Sequence, residues 1–327
     1  MGEDPEESLT YADTGVDIDE SEEATDALVA SFGELDTDTY AGILDLGDQY
    51  LGVTTDGVGT KLLVAEALDR YETVGIDCMA MNANDLVAMG VKPLGFVDYL
   101  AVEEPDDRIA SAIGEGLAVG ADRAGVALLG GETAVLPEII AGVDLAGTCI
   151  GVADPGDLFD GSAAVDDALV GFPSSGIHSN GLTLARAAAT RRHTYADPFP
   201  ADPERTIGEV LLEPTRIYTD LLEPLQTHDV RGVAHITGGG WTNLFRLGTN
   251  RYVIEDPHPA QPVFGFIQTE GNVTDEEMHR TFNMGTGMVA AVPADRAESL
   301  VADTAGCVIG HVAAGNTIEI RGLEFAP

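Results

Sequence analysis

Apolar residues in this chain come in short runs cut apart by Gly, Pro and Asp, and the spacing inside each run predicts alternating strands and helices. Residues 1–40 are acidic with little periodicity and read as loop. Tyr50–Thr55 reads as a buried strand, Thr60–Arg70 as a helix, and Val74–Met89 as a second helix rich in Ala and Met. Pro93–Val102 alternates like a strand. Pro105, Asp106 and Asp107 then open an amphipathic helix, since Pro and acidic groups suit the positive end of the helix dipole. Ile109, Ile113, Leu117 and Ala121 follow four apart on one face, and Gly125 ends the run. Val126–Leu129 and Ile139–Ala153 read as strands.

A Gly-, Asp- and Ser-rich stretch, Asp154–Asp166, breaks the pattern and predicts a domain boundary, giving domains 1–155 and 156–327. Alternation then resumes. Strands are predicted at Ala168–Phe172, Gly232–Ile236, Arg251–Glu255, Val263–Ile267, Met288–Val292, Cys307–Ala313 and Thr317–Arg321. Helices are predicted at Gly181–Arg192, Glu204–Leu212, Thr215–Leu225 (opened by Pro214) and Ala294–Thr304. Both halves mix strand and helix, so the fold class is α/β (mixed α+β) in two domains.

Composition changes this picture in one respect. Hydrophobic residues make up 44% and aromatics 6% of 327 residues, as in a folded protein, but 56 acidic residues face 16 basic ones, a formal charge of −40. Lys61 and Lys92 are the two lysines. Such a shell repels itself in dilute buffer, and molar salt screens it to within a few ångströms, so the chain reads as adapted to a salt-filled cytoplasm. The same charge argues against nucleic acid and anionic membranes as partners. No apolar stretch is long enough to cross a bilayer, and the acidic start, Met1–Glu7, does not read as a signal peptide, so the expected location is cytoplasmic. Cys78, Cys149 and Cys307 lie far apart in apolar contexts, and read as buried thiols.

Several segments carry candidate chemistry. Asp56-Gly57-Val58-Gly59-Thr60-Lys61 follows a strand and opens a helix. Its glycines let backbone approach an anion, the helix start offers free N–H groups, Lys61 adds charge, and Asp56 suits magnesium. The spacing is not that of the nucleotide P-loop, and a plain glycine turn capped by Asp and Thr is the simpler alternative. Asn82-Ala83-Asn84-Asp85 puts three polar side chains in an apolar helix, where they either cap backbone or, through Asp85, join Asp56 at a metal–phosphate site. Gly130-Gly131-Glu132-Thr133 repeats the layout of strand, glycines and acid. In the second half, Ser174-Ser175-Gly176-Ile177-His178-Ser179-Asn180-Gly181 and His235-Ile236-Thr237-Gly238-Gly239-Gly240 offer hydroxyls, backbone N–H groups and two imidazoles that titrate near neutrality. Thr281–Gly287 is an uncharged glycine turn, read as packing.

Taken together and in order, these blocks resemble the phosphoribosylformylglycinamidine cyclo-ligase (AIR synthetase) family. Tyr11–Ile18, Gly75-Ile-Asp77, Pro93-Leu94 with Asp98-Tyr99, and Pro214-Thr-Arg-Ile-Tyr218 add to the likeness, which spans nearly the whole chain. It implies a two-domain fold whose N-terminal domains pair in a homodimer through a shared β-barrel. It implies ATP and magnesium at Asp56, Lys61, Asp85 and Glu132, and Gly57, Gly59, Thr60, Asn84, Gly130, Gly131 and Thr133 around the phosphates; separately, the scarcity of lysine makes bound potassium a candidate replacement cation. It implies formylglycinamidine ribonucleotide as substrate, with its phosphate near Ser174, Ser175, Gly176, Ser179, Asn180, Thr237, Gly238 and Gly239. The implied reaction is ATP-dependent closure of the imidazole ring, with Lys61, His178 and His235 as catalytic groups and one of the imidazoles moving the released proton. The chain departs from the family at Ala12, where many members carry Lys, and at Ser31-Phe32-Gly33, where many carry a longer glycine-rich loop. A kinase of the same superfamily, acting on thiamine phosphate or selenide, and a non-enzymatic nucleotide-binding module are the rival readings.

Overall fold

The computed structural model describes residues 8–16, 18–30, 39–159 and 161–327. The Ser31-Phe32-Gly33 segment lies outside them. Helix α1 (Ile18–Val29) occupies part of the segment expected to be loop. A five-stranded sheet follows, built from β1 (Gly42–Asp45), β2 (Tyr50–Gly57), β3 (Lys92–Val102), β4 (Ala127–Val135) and β5 (Val143–Ala153) in the order β1-β2-β5-β3-β4. β3 and β4 run parallel, joined by α4 (Asp107–Ala124), and the other pairs are antiparallel. A 3-10 turn (Gly59–Lys61), α2 (Leu62–Leu68) and α3 (Val74–Ala88) connect β2 to β3. The Gly130-Gly131 pair, expected past a strand end, lies inside β4.

Helix α4 starts where the sequence says it should. Asp106 accepts hydrogen bonds from the Arg108 and Ile109 N–H groups, and Gly125 closes the helix at φ 68°. It packs on α3 at a distance only glycine permits: a Cβ on Gly75 would stand 2.3 Å from the Leu117 nitrogen, and one on Gly116 2.5 Å from the Glu72 carbonyl. Helix α3 lies against β2 and β5 on one side and against the second half of the chain on the other. Every one of its residues is buried except Asp85. A helix apolar all round belongs in an interior, so a single carboxylate reaching solvent from it has a purpose other than solubility.

The second half holds a seven-stranded sheet. Its strands are β6 (Ala168–Pro173), β9 (Gly232–His235), β10 (Arg251–Ile254), β11 (Thr286–Val292), β12 (Cys307–Ala313), β13 (Thr317–Ile320) and β14 (Leu323–Phe325), in the order β14-β13-β10-β12-β6-β11-β9. β7 (Pro198–Phe199) and β8 (Asp202–Thr206) form a separate ribbon. The helices here are α5 (Leu182–Thr190), α6 (Ile207–Leu211), α7 (Leu222–Thr227), α8 (Pro262–Gly271), α9 (Asp275–Thr281) and α10 (Ala297–Asp303). The largest apolar cluster crosses from one half to the other, joining Val64, Met79 and Phe96 to Leu184, Phe264 and Phe282.

Three expectations fail here, two for local reasons and one for a tertiary one. Val263–Ile267, read as a strand from its β-branched and aromatic residues, is helical: Pro262 sits in the first turn, and Val263, Phe264, Phe266 and Ile267 bury one helical face. The helix expected over Glu204–Leu212 begins at Ile207, because Thr206 and Glu209 form a capping box that fixes its start. The helix expected from Thr215 begins only at Thr219 as a 3-10 turn, leading into α7. Backbone groups of Thr215, Arg216 and Tyr218 bond to side chains of α3 instead of to one another. Cys78 and Cys149 are buried thiols as expected, whereas Cys307 is partly exposed.

Candidate functional site

Strand β2 ends at Asp56-Gly57, and α3 brings Asp85 alongside it. The Asp56 Oδ1 accepts from the Gly57 N–H at 2.7 Å. Its acidity reports its neighbour. Burial and then the charge of Asp85 push the Asp56 carboxyl up to about 6, against the opposing pull of the Gly57 N–H and of His235. Asp85 is held from the second domain, where His235 Nδ1 lies 2.8 Å from its Oδ1. A carboxylate oxygen accepts, so the imidazole nitrogen donates. Two carboxylates with no cationic side chain between them make a hard-oxygen donor set, the kind magnesium takes together with phosphate oxygens.

The third expected ligand, Glu132, is elsewhere. It lies on β4, at the sheet edge, opposite Tyr99 of β3, and β5 and β3 stand between β4 and β2. Three strand spacings, about 14 Å, separate it from Asp56. Among the described residues no group of three or more His, Cys, Asp or Glu comes together at a metal-holding distance. Gly130, Gly131 and Thr133 lie on the same edge strand, far from Asp56 for the same reason.

Lys61 is corrected too. Its side chain is wholly buried, with Nζ 2.8 Å from Asp77 Oδ1 and 2.6 Å from the Glu213 carbonyl. Asp77 Oδ1 also accepts from the Thr215 N–H at 2.8 Å and the Thr215 hydroxyl at 2.6 Å. Asn84 donates to the Arg216 carbonyl and accepts from the Tyr218 N–H, each at 2.8 Å. Both residues, expected on phosphate, clamp the 213–218 segment onto α3. The signal was present in the sequence: Asp77 in a run as apolar as Val-Gly-Ile-Asp-Cys-Met-Ala demands a buried cation. Thr60, beside Lys61, meets the Thr183 hydroxyl at 3.0 Å, and Gly59 has a positive φ and open space above its Cα.

The loops of the second half converge. Gly238 lies 3.5 Å, measured from its Cβ position, from Asn180 Oδ1, so the 174–181 and 237–240 segments meet. The serine hydroxyls of the first segment are already engaged: Ser174 with Gln261, Ser175 with the Pro214 carbonyl at 2.6 Å, and Ser179 with Thr215 at 3.2 Å. Asn283 donates to the carbonyls of Gly176 and Ile177, so the 281–287 turn props the first loop. Gly239 (φ 88°) follows Thr237 and Gly238 into a 3-10 helix, Gly240–Leu247. Neither imidazole reaches the surface. His178 adopts a left-handed φ of 67° and accepts the Ser175 N–H at Nε2. Burial holds its pKa well below the ordinary value. A neutral ring that accepts at Nε2 carries its proton on Nδ1, so His178 is built as a donor and not as a base. Its Nδ1 and the Nε2 of His235 have no partner among the described residues. The ring of Tyr218 stands edge-on to both imidazoles at 6.3 Å, with its hydroxyl donating to the Pro173 carbonyl.

A carboxylate pair at the junction of a five-stranded and a seven-stranded α/β domain defines the class: a two-domain α/β protein of the kind shared with solved structures that use the same architecture. Thiamine monophosphate kinase from Aquifex aeolicus superimposes with a TM-score of 0.67 at 16% identity, over 95% of this chain and all of that one. A structure described as tt0281 from Thermus thermophilus superimposes with a TM-score of 0.67 at 23% identity, over 94% and 98%. These likenesses show the fold. The chain belongs to the AIR synthase related protein family, whose N-terminal domain model matches residues 38–153 and whose C-terminal domain model matches residues 164–322. Among its relatives, phosphoribosylformylglycinamidine cyclo-ligase of Methanosarcina acetivorans is 46% identical over 94% of this chain and 96% of its own length. The protein of that name from Thermococcus kodakarensis is 47% identical over 89% and 90%.

Proposed function

We propose that the chain closes the imidazole ring of aminoimidazole ribonucleotide, converting formylglycinamidine ribonucleotide and ATP to product, ADP and phosphate. The observation that carries the reading is the full-length match to proteins of that activity, at 46–47% identity; the Asp56–Asp85 pair is the geometry that fits it. An amide oxygen is a poor leaving group, and phosphorylation of it gives an imidate phosphate whose carbon the amidine nitrogen attacks. Phosphate then leaves and the ring is closed.

Asp56 and Asp85 would hold magnesium with the nucleotide phosphates. The ion would supply charge neutralisation on the transferring phosphoryl group. The backbone at Gly59 and Thr60 offers N–H groups beside that pair. The meeting loops at Asn180 and Gly238 are where the second half receives the substrate. Holding amidine and activated carbon together lowers the entropic cost of cyclisation.

Further parts of the reading rest on the physical character of the surface. Val53, Val97, Tyr99 and Leu129 are exposed on the sheet face turned away from α3, and a second copy of the chain covers such a face in a homodimer. The acidic shell fits a cytoplasm rich in potassium chloride. We place the division between an ATP-binding half (1–155) and a substrate-binding half (156–327) where the two sheets, which share no strand, part. No helix among the described residues is long and apolar enough to cross a membrane. The test is ADP release in molar potassium chloride with magnesium and ATP, with and without formylglycinamidine ribonucleotide. Release that depends on this substrate and matches aminoimidazole ribonucleotide formed is expected. Its absence from folded protein, or a phosphorylated product with no ring, would overturn the reading.

A further inference from the structure

His235 and Asp85 belong to different domains, and a third residue joins them. Tyr40, just ahead of β1, reaches across the junction. Its hydroxyl accepts from the His235 N–H at 3.1 Å and donates to the His235 carbonyl at 3.2 Å. β9 is the edge strand of the seven-stranded sheet, and His235 is its last residue. One hydroxyl thus satisfies both backbone groups that an edge strand leaves unpaired there. The Arg246 guanidinium lies over the Tyr40 ring, 4.7 Å from its centre. Burial, reinforced by the charge of Asp85, keeps the phenol protonated against the opposing charge of Arg246, so it remains able to donate. The imidazole of His235 is fully buried and committed to Asp85 at 2.8 Å.

We infer that Tyr40 and His235 are positioning residues for Asp85: Tyr40 fixes the His235 backbone, His235 orients the Asp85 carboxylate through Nδ1–H, and the free oxygen of Asp85 is thereby aimed beside Asp56. The inference rests on the cation-holding reading of the Asp56–Asp85 pair. It assigns His235 a task different from proton transfer, because the ring is wholly buried and its Nδ1–H is committed to Asp85. Groups that orient a metal-binding side chain in this way alter metal affinity by about 10–100-fold when removed.

The test is Mn2+ binding followed by electron paramagnetic resonance, in molar potassium chloride with a non-hydrolysable ATP analogue. The Asp85→Asn variant sets the baseline, since 40 net negative charges attract divalent ions without a site. Tyr40→Phe and His235→Ala should each weaken the Mn2+ that Asp85→Asn abolishes by about tenfold or more. His235→Asn, whose amide nitrogen can stand where Nδ1 stood, should recover most of that affinity and much of the turnover lost in His235→Ala. Melting temperatures of each variant show that it is folded at the assay temperature. Wild-type binding with Tyr40→Phe unchanged would overturn the relay alone. His235→Asn as inactive as His235→Ala, with Mn2+ affinity untouched in both, would also overturn it and return His235 to the chemistry. A wild type that binds no more Mn2+ than Asp85→Asn would instead overturn the cation reading of the pair.

Discussion

Helix α3 carries two aspartates with opposite fates. Asp77 is wholly buried with its charge paired: its Oδ1 takes the Lys61 ammonium and both donors of Thr215, while its Oδ2 has no partner among the described residues. Asp85, two turns on, is the residue of that helix that reaches solvent, and it faces another carboxylate with one imidazole behind it. A buried charge with an ion partner and every near donor aimed at it is a piece of structure. A carboxylate left next to a second carboxylate is destabilised until a cation arrives, and that marks a site. Lys61, which looks from its motif like the phosphate ligand, belongs to the first centre.

The difference can be broken experimentally. Lys61→Met strands the Asp77 charge in the interior and should cost about 3–5 kcal/mol, read by chemical denaturation in high salt; adding Asp77→Asn should recover part of it. A small loss in the single variant would mean that Lys61 is free to leave the interior and serve phosphate. Asp56→Asn should act in the other sense, lowering turnover about a hundredfold or more while raising stability. The folded chain holds the Asp56 proton up to about 6, well above the ordinary aspartate value of 3.8, so it binds more protons than the unfolded chain between these values. Its stability therefore falls as pH rises from about 4 to about 6, and the penalty, about 3 kcal/mol, persists above that. Asp56→Asn should remove this slope from the plot of melting temperature against pH, and an unchanged slope would mean that Asp56 is not the group whose proton the fold retains. Thr215→Val deletes the hydroxyl bond to Asp77 and should cost about 1–2 kcal/mol, with the Asp56 slope intact. Leu129→Arg, on the exposed sheet face, should leave chain stability within about 0.5 kcal/mol yet yield monomers by sedimentation; dimers that persist would place the partner on another face.

Much of this was legible beforehand because it is local. The start and end of α4 follow from Asp106 and Gly125, whose capping needs no distant partner. The capping box at Thr206 and Glu209 was readable as well, though an apolar run obscured it. Asp56 and Asp85 could be named because glycines and polar groups in an apolar context betray a need for partners. Tyr40 could not be named. Its hydroxyl serves the backbone of a residue 195 positions away, and no spacing in the sequence announces such a bond.

The sequence by itself determined that this is a two-domain α/β chain with an acidic shell, because periodicity and composition act residue by residue and survive any arrangement in space. Only the tertiary structure decided which charges meet. Lys61 could pair with a phosphate or with Asp77, and Glu132 could join Asp56 or stand at a sheet edge. Burial settled the first, since an ammonium removed from water must find its counter-charge at once. The strand order settled the second, because three strand spacings set a distance that no side chain spans.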